Sequence, residues 1–198
     1  MRFFKNNYDT IIKLLVNQIG VAILTFFLYT AAGAIKTDDS TGLTIKVAIS
    51  IFGILFYYVL IYNIAWEIGA KDKIRVDGGR STATPGKGIR LGLYANITNF
   101  AVIGLAAIVL TVYIISKADY LYSFFAVLNF IFRFFVSMYL GVIQAICHSY
   151  SAFTDMYFLA QTLCFLIFSV ISAIVVHVSY TLGFKDYRFI KQKKTAKK

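Results

Sequence analysis

The sequence contains little proline, cysteine and charge. Its 198 residues include one proline and two cysteines, and only 15% of them are charged. Disulfide-rich scaffolds need more cysteines, and disordered chains have far fewer apolar residues than the 59% found here. Soluble domains carry about 25% charged and about 45–50% apolar residues. The composition therefore excludes these three classes and indicates a membrane protein.

Five apolar stretches make up most of the chain, and each reaches the roughly 20 residues that a helix needs to cross a bilayer. They cover residues 14–35, 47–68, 91–116, 120–147 and 157–184. The sequence thus predicts an all-α, polytopic integral membrane helical bundle over residues 1–184 and a basic cytoplasmic tail over residues 185–198. Because the first stretch exceeds the 7–15 residues of a signal-peptide core, we expect an uncleaved anchor.

Positive charge is concentrated outside these stretches. Of the 20 Lys and Arg residues, 16 lie near the start of the chain, between residues 71 and 90, or in the tail. Positively charged loops remain in the cytoplasm, so we expect both termini there, in a protein of the plasma membrane. Contact with anionic lipids follows from this placement, whereas no nucleic-acid partner is needed to explain the charge. The residues predicted to touch lipid headgroups are Lys71, Lys73, Arg75, Lys185 and Arg188.

The basic loop carries the pattern of a β-hairpin. Ile74 and Val76 alternate with charged residues just before Asp77-Gly78-Gly79, and such a turn is typical of tight hairpins. We therefore predict a hairpin within residues 69–90.

Two segments of the chain resemble each other. Residues 66–72 read WEIGAKD and residues 180–186 read YTLGFKD, so an aromatic residue, glycine, lysine and aspartate recur in register. An interfacial aromatic anchor, a glycine at the helix C-cap and a lysine beside the helix's negative end explain this repeated segment pair. We expect both helices to end at the same, cytoplasmic side.

The fourth stretch, residues 120–147, contains Arg133 near its middle. A lipid-facing arginine at the bilayer centre costs about 2.5–3.5 kcal/mol, and two helices that both end inside leave no room for this stretch to cross. We therefore expect a re-entrant segment, or one lying partly in the outer interface. A fifth crossing with Arg133 facing the bundle is the alternative. Asn129, Arg133 and Ser137 recur four residues apart, with Gln144 close to the same helix face.

Six polar residues of the first three stretches fall at one depth near the basic loop. They are Asn17, Gln18, Asn63, Glu67, Asn96 and Asn99. The two later pairs each share a helix face, so the faces can converge on a pocket. Together with the intramembrane Arg133, these are the predicted ligand-binding residues. Hydrogen bonds between helices explain the same six residues without a ligand.

The sequence shows no catalytic pattern. Residues 84–88 match a phosphate loop only in part, since both its first glycine and its final hydroxyl residue are missing. No metal site or cofactor is predicted, because the two histidines have no suitably spaced partners. We expect a protein that binds a small solute or an anionic lipid headgroup, as a non-enzymatic transporter subunit. The sequence also allows a partner membrane subunit or a homo-oligomer.

Two other functions fit the same sequence. The first is a structural protein that docks a cytoplasmic partner through its basic loop and tail. The second is a lipid-modifying enzyme with Glu67 as general base. Gly88 and Gly92 form a small-residue motif, which we predict to serve packing inside the bundle.

Overall fold

The computed structural model describes residues 2–34, 39–117, 119–147 and 155–187, which are almost entirely helical and contain no strand. The elements are α1 (Arg2–Ala34), α2 (Asp39–Asp77), α3 (Lys87–Ala95), α4 (Ile97–Ser116), α5 (Asp119–Phe135), a 3₁₀ turn (Ser137–Tyr139), α6 (Leu140–Ile146) and α7 (Asp155–Phe184). The predicted all-α bundle is confirmed.

Within the part of the chain that the structure describes, four helices are long and apolar enough to span a membrane. The spans are Phe3–Ala34, Ser40–Asp77, Ile97–Ser116 and Met156–Phe184, and the mean hydropathy of their most apolar windows lies between 2.1 and 2.4. Many large apolar side chains on these helices face outward, as Phe27 and Leu55 do with 67% and 62% of their surface exposed. A helix that is apolar both inside and outside the bundle is typical of a membrane protein. The chain is an integral membrane protein.

Helices α2 and α7 run parallel to each other. The Tyr57 hydroxyl shares a hydrogen bond of 3.2 Å with Ser172, and further along both helices the Trp66 indole N–H donates to the carbonyl oxygen of Tyr187 at 2.7 Å. Since later residues of α2 meet later residues of α7, the two helices end at the same end of the bundle. The repeated segment pair predicts this arrangement.

The other long helices are antiparallel to α2 and α7. On α1, Thr25 packs on Gly53 and the Lys46 ammonium lies over the Tyr29 ring. On α3, Gly92 faces Ala173 of α7, and beyond it Leu110 of α4 packs in one cluster with Phe158, earlier in α7. Residues 3–13, 67–90 and 177–187 therefore share one end of the bundle, which we call the basic end. The opposite end holds the end of α4 and the start of α7.

The fourth apolar stretch enters and leaves the bundle at the opposite end. Its two helical parts, Ser123–Phe135 and Ser137–Ile146, are bent by 81°. At the bend, the Tyr139 ring stacks on Phe168 with centroids 4.6 Å apart, close to the midpoint of α7. Both ends of the segment lie at the opposite end of the bundle, and its bend lies near mid-depth. The structure therefore agrees with the predicted re-entrant segment and not with a fifth crossing.

Polar groups of the bundle fix this bend. The Ser137 hydroxyl donates to the Ala22 carbonyl oxygen at 2.6 Å, and the Gly141 N–H donates to Ser50 Oγ at 2.6 Å. Irregular backbone at membrane depth is tolerated where protein covers it. The residues from Val136 to Gly141 are all buried, so the bend satisfies that requirement.

The predicted β-hairpin is wrong. Helix α2 continues to Asp77, and only residues 78–86 separate it from α3. Two ion pairs at i, i+4 spacing, one of them between Lys73 and Asp77, favour a helix over a strand in this charged region. Gly79, at φ 67°, ends α2 in a left-handed cap, because only glycine adopts that conformation without strain.

The role predicted for the two glycines of the repeated segment pair is also wrong. Gly69 and Gly183 lie inside helices rather than at their caps, and each faces the backbone of the other helix. A Cβ at Gly69 would overlap the carbonyl oxygen of Tyr180, and a Cβ at Gly183 would overlap that of Trp66. The glycines therefore let α2 and α7 approach closely at the basic end.

Gly88 and Gly92 serve packing inside the bundle, as the sequence predicts. A Cβ at Gly88 would come within 3.1 Å of the Cα of His177, and one at Gly92 within 2.8 Å of the Cα of Ala173. Both contacts bring α3 against the backbone of α7.

Candidate functional site

Asp72 organises the basic end of the bundle. It is buried near the end of α2, where it accepts a hydrogen bond of 2.9 Å from the Tyr180 hydroxyl and forms an ion pair of 2.7 Å with Lys87. The two charged side chains are 12% and 17% exposed. A buried charge requires such a partner, so this pair joins α2, α3 and α7 at one point.

Two cavities adjoin this ion pair. Their volumes are about 280 Å³ and about 480 Å³, and both are lined by Asn6, Asn7, Asp72, Arg75 and Lys87. We refer to the two together as the basic-end cavity.

The N-terminal part of α1 and the loop after α2 form the walls of the basic-end cavity. A kink at Asn7, with φ −125° and ψ 16°, interrupts α1 next to the cavity, and the Asn7 side chain donates to the Phe3 carbonyl oxygen at 2.9 Å. The loop contributes Ser81, Thr82 and Thr84. The cavity is thus lined by amide and hydroxyl groups as well as by charges.

Cations outnumber acids in the lining of the larger cavity. Its charged residues are Lys5, Lys13, Lys71, Arg75 and Lys87 on one side and Asp9, Glu67 and Asp72 on the other. Arg75 lies 3.8 Å from Asp72 and is 65% exposed. Among the described residues, Lys5 and Lys13 form no ion pair. The cavity therefore has cationic groups available for an anionic ligand.

A second cluster of polar side chains crosses the centre of the bundle. Gln18 Nε2 donates to Asn99 Oδ1 at 2.8 Å, and Asn99 Nδ2 donates to Asn96 Oδ1 at 3.1 Å. Asn96 Nδ2 in turn donates to Ser172 Oγ at 3.3 Å, and Ser172 bonds to Tyr57. None of these five residues is more than 5% exposed. This central polar chain links α1, α4, α7 and α2.

The central polar chain unites three of the six residues predicted to share one depth. Gln18, Asn96 and Asn99 meet, whereas Asn17 is only partly buried and Asn63 is exposed. Glu67 is exposed as well, and it forms an ion pair of 2.5 Å with Lys71. The predicted convergence of all six residues is therefore wrong. Their role in ligand binding stays a prediction.

Helix geometry explains the separation on α2. Ile61 and Ala65 face the core and are fully buried. Asn63 and Glu67 each follow two residues later, which is about 200° around a helix. They consequently lie on the outer face of α2, although Glu67 still reaches the lining of the larger cavity.

The predicted lipid-contacting residues lie in different settings. Lys71 and Arg75 line the basic-end cavity. Lys73 pairs with Asp77 at 3.5 Å on the surface, and Lys185 is exposed just beyond α7. Arg188 lies outside the described residues. Their contact with lipid stays a prediction.

Arg133 lies in the half of the bundle near the opposite end. Its Nη2 donates to Gln161 Oε1 at 3.3 Å. Gln144, placed on the same face by the sequence pattern, instead accepts a hydrogen bond of 2.5 Å from the Tyr29 hydroxyl. Ser137 bonds to α1. The pattern fails because the helix breaks at Val136. Residues before and after the break belong to different helices, so the spacing between Arg133 and Gln144 no longer tells which faces they share.

Sequence reasoning misses four residues of these clusters, namely Tyr57, Asp72, Ser172 and Tyr180. Serine and tyrosine are common in apolar helices, so their hydroxyls give no signal. Asp72 and Tyr180 both belong to the repeated segment pair, but the pattern assigns Tyr180 to an interfacial anchor and places Asp72 beyond the predicted helix end, in a solvated loop. Within the described parts of the chain, no group of three His, Cys, Asp or Glu side chains can hold a metal ion.

Comparison of the chain with protein-family models, with curated proteins and with solved structures finds no match in any of the three.

Proposed function

We propose that this integral membrane protein binds a phosphate-bearing ligand in the basic-end cavity, with that end facing the cytoplasm. The ligand is the headgroup of an anionic lipid or a small soluble phosphate, since both present the same chemical group. We further propose that the membrane is the plasma membrane and that both termini are cytoplasmic.

The excess of cations in the cavity lining is the observation that carries the proposal. Among the described residues, five basic and three acidic side chains surround the larger cavity. Two of the acids are held by partners within the protein, Asp72 by Lys87 and Glu67 by Lys71. Lys5 and Lys13 form no ion pair among the described residues, and Arg75 keeps 65% of its side chain exposed despite its 3.8 Å contact with Asp72, so these three cations can reach a ligand; arginine and lysine are the side chains that bind phosphate best.

Neutral donors in the cavity support the same ligand class. Asn7 and Thr82 line it, and α3 begins at its wall with Lys87. The N-terminus of a helix favours an anion. Phosphate oxygens accept several hydrogen bonds at once, so a mixed lining of cations, amides and hydroxyls suits them.

Orientation follows from the distribution of lysine and arginine. The described basic residues from Lys71 to Arg90 all lie at the basic end, and cytoplasmic loops are enriched in lysine and arginine. The cytoplasmic leaflet is also the anionic one, so this orientation places the cavity next to anionic headgroups.

Substitution in the cavity tests the proposal. The variant Lys13→Gln with Arg75→Gln is expected to weaken ligand binding at least tenfold, because it removes two available cations. Binding is measured as the shift of the unfolding temperature in two arms. One arm adds inorganic phosphate or glycerol 3-phosphate to protein in detergent, and the other compares nanodiscs with and without phosphatidylglycerol.

The matched control is Lys73→Gln with Lys185→Gln, which removes the same charge from the same end but outside the cavity lining. It is expected to change binding less than twofold. A shift in the detergent arm identifies a soluble phosphate, and a shift in the nanodisc arm alone identifies a headgroup. Equal loss in both variants, or loss in neither, contradicts a specific cavity site.

A further inference from the structure

A further cavity adjoins the basic-end cavity. Its volume is about 310 Å³, and it is lined by Ala83, Thr84, Pro85, Tyr180 and Phe184. Among the described residues, none with a charged side chain contributes to this lining. Small-molecule sites typically have volumes of about 300–1,000 Å³ and mainly apolar walls. This apolar cavity therefore has the size and the lining of a site for a compact apolar group.

The apolar cavity and the basic-end cavity share part of their walls. Ala83, Thr84, Tyr180 and Phe184 line both. Thr84 is exposed and Phe184 is only partly buried, so no fully packed side chain closes the boundary at these two residues. A single ligand can therefore extend from one cavity into the other.

Tyr180 connects the charged and the apolar parts of this arrangement. Its hydroxyl donates to Asp72, which pairs with Lys87. Its ring stacks on that of Phe184, one turn further along α7, with centroids 6.3 Å apart and an angle of 23° between the ring planes. Charged groups thus meet the hydroxyl of Tyr180, and an aromatic side chain meets its ring.

The apolar cavity lies where α7 reaches the end of its apolar span. Phe184 is the last residue of the span Met156–Phe184, and the exposed Lys185 follows it. The headgroup region borders the hydrocarbon core at such a helix end. An amphiphilic ligand matches this position, because its apolar part and its charged part meet at the same boundary.

We propose that the ligand of the basic-end cavity is a phosphate ester of an apolar alcohol, and that the protein binds both of its parts. The phosphate lies beside Arg75, and the apolar group occupies the apolar cavity. This inference rests on the proposed function and narrows its ligand class, because inorganic phosphate would leave the apolar cavity unfilled. A membrane lipid and a short soluble ester both present these two groups.

The length of the ligand tests the proposal in the unsubstituted protein. Methyl phosphate and hexyl phosphate carry the same charged group and differ only in their apolar part. We expect hexyl phosphate to bind at least about tenfold more tightly, because burial of its alkyl chain contributes to the binding free energy. Binding is measured by isothermal titration calorimetry of the protein in detergent, below the concentration at which hexyl phosphate forms micelles.

Phe184→Ala removes one wall of the apolar cavity, and its matched control is Phe4→Ala. Phe4 belongs to the same end of the bundle, is 39% exposed and lines none of the three cavities. The preference for hexyl over methyl phosphate is expected to fall to about threefold or less in Phe184→Ala, because less apolar surface is buried. Phe4→Ala is expected to keep the preference.

A second arm identifies the source of the ligand. The two variants are compared in nanodiscs with and without phosphatidylglycerol, by the shift of the unfolding temperature. A smaller shift in Phe184→Ala than in Phe4→Ala identifies a membrane lipid, and equal shifts identify a soluble ester.

The outcomes in detergent separate this inference from the proposed function. Equal affinity of the unsubstituted protein for methyl and hexyl phosphate overturns the inference and leaves a phosphate site in the basic-end cavity. An equal preference for hexyl phosphate in Phe184→Ala and Phe4→Ala also overturns it, because the alkyl chain then binds elsewhere. If neither ester binds and phosphatidylglycerol does not stabilise the protein, the proposed function fails and the inference fails with it.

Discussion

Gly183→Ala is expected to lower the free energy of unfolding by about 3 kcal/mol, the upper part of the usual range for overpacking. The added Cβ would overlap the carbonyl oxygen of Trp66. Backbone atoms cannot turn aside as a flexible side chain does, so α2 and α7 must separate. Gly69→Ala is expected to act in the same way, because its Cβ meets the backbone of Tyr180. The measurement is reversible unfolding in mixed micelles of dodecyl maltoside and SDS.

Two other glycines provide matched controls. Around Gly20 and Gly104 a Cβ would meet no atom within 4 Å, and both lie inside helices. Alanine stabilises a helix by up to about 1 kcal/mol relative to glycine, so Gly20→Ala and Gly104→Ala should be neutral or slightly stabilising. Equal stability of Gly183→Ala and Gly104→Ala would show that α2 and α7 do not approach as described.

The second large effect concerns the ion pair between Asp72 and Lys87. Lys87→Ala leaves the Asp72 carboxylate buried with only the Tyr180 hydroxyl and the more distant Arg75. Breaking a buried pair by removing one partner typically costs about 3–5 kcal/mol. We expect Lys87→Ala to lower the free energy of unfolding by an amount near the lower end of that range, since both side chains retain some exposure.

Controls separate this pair from surface charge. Lys73→Ala removes a partner of Asp77 from an exposed pair, and such pairs contribute less than about 1 kcal/mol. The double variant Asp72→Ala with Lys87→Ala should lose less stability than the sum of the two single variants. Simple additivity would mean that the two side chains do not interact.

Long apolar runs make most of the fold predictable. A stretch of 20 or more apolar residues has few structural solutions in lipid, so α4 and α7 end close to the predicted positions. The polar ends of the helices are less predictable. Helix α2 continues to Asp77 because ion pairs along its surface support a helix beyond the apolar run, and hydropathy does not record such pairs.

The site is harder to predict than the fold, because its contacts are made by single polar residues inside apolar helices. Gln18, Asn96 and Asn99 are recognisable, since amides are rare at that depth and depth is readable from the chain. Whether helix faces meet depends on helix rotation, which places Asn63 and Glu67 outward. Contacts such as that between Tyr57 and Ser172 need two helices to be in register, and no spacing within one helix reports that.

The repeated segment pair shows the same limit. Its recurrence correctly predicts two helices that end together. Its glycines allow the helix backbones to approach, but a sequence pattern does not distinguish a glycine at a cap from one at a helix crossing. The actual end of α7 uses Asp186, at φ 55°, in the conformation that the pattern assigns to Gly183.

We propose that the basic end faces the cytoplasm, and the structure has the segment around Arg133 return to the side it entered from. The most direct test labels single cysteines in intact cells with a membrane-impermeant maleimide, using Ser81→Cys, Lys117→Cys and Lys185→Cys, all exposed in the native protein. Lys117→Cys alone is expected to be labelled in intact cells, and the other two only after permeabilisation. Labelling of Lys185→Cys but not Ser81→Cys in intact cells would establish a fifth crossing and contradict this topology.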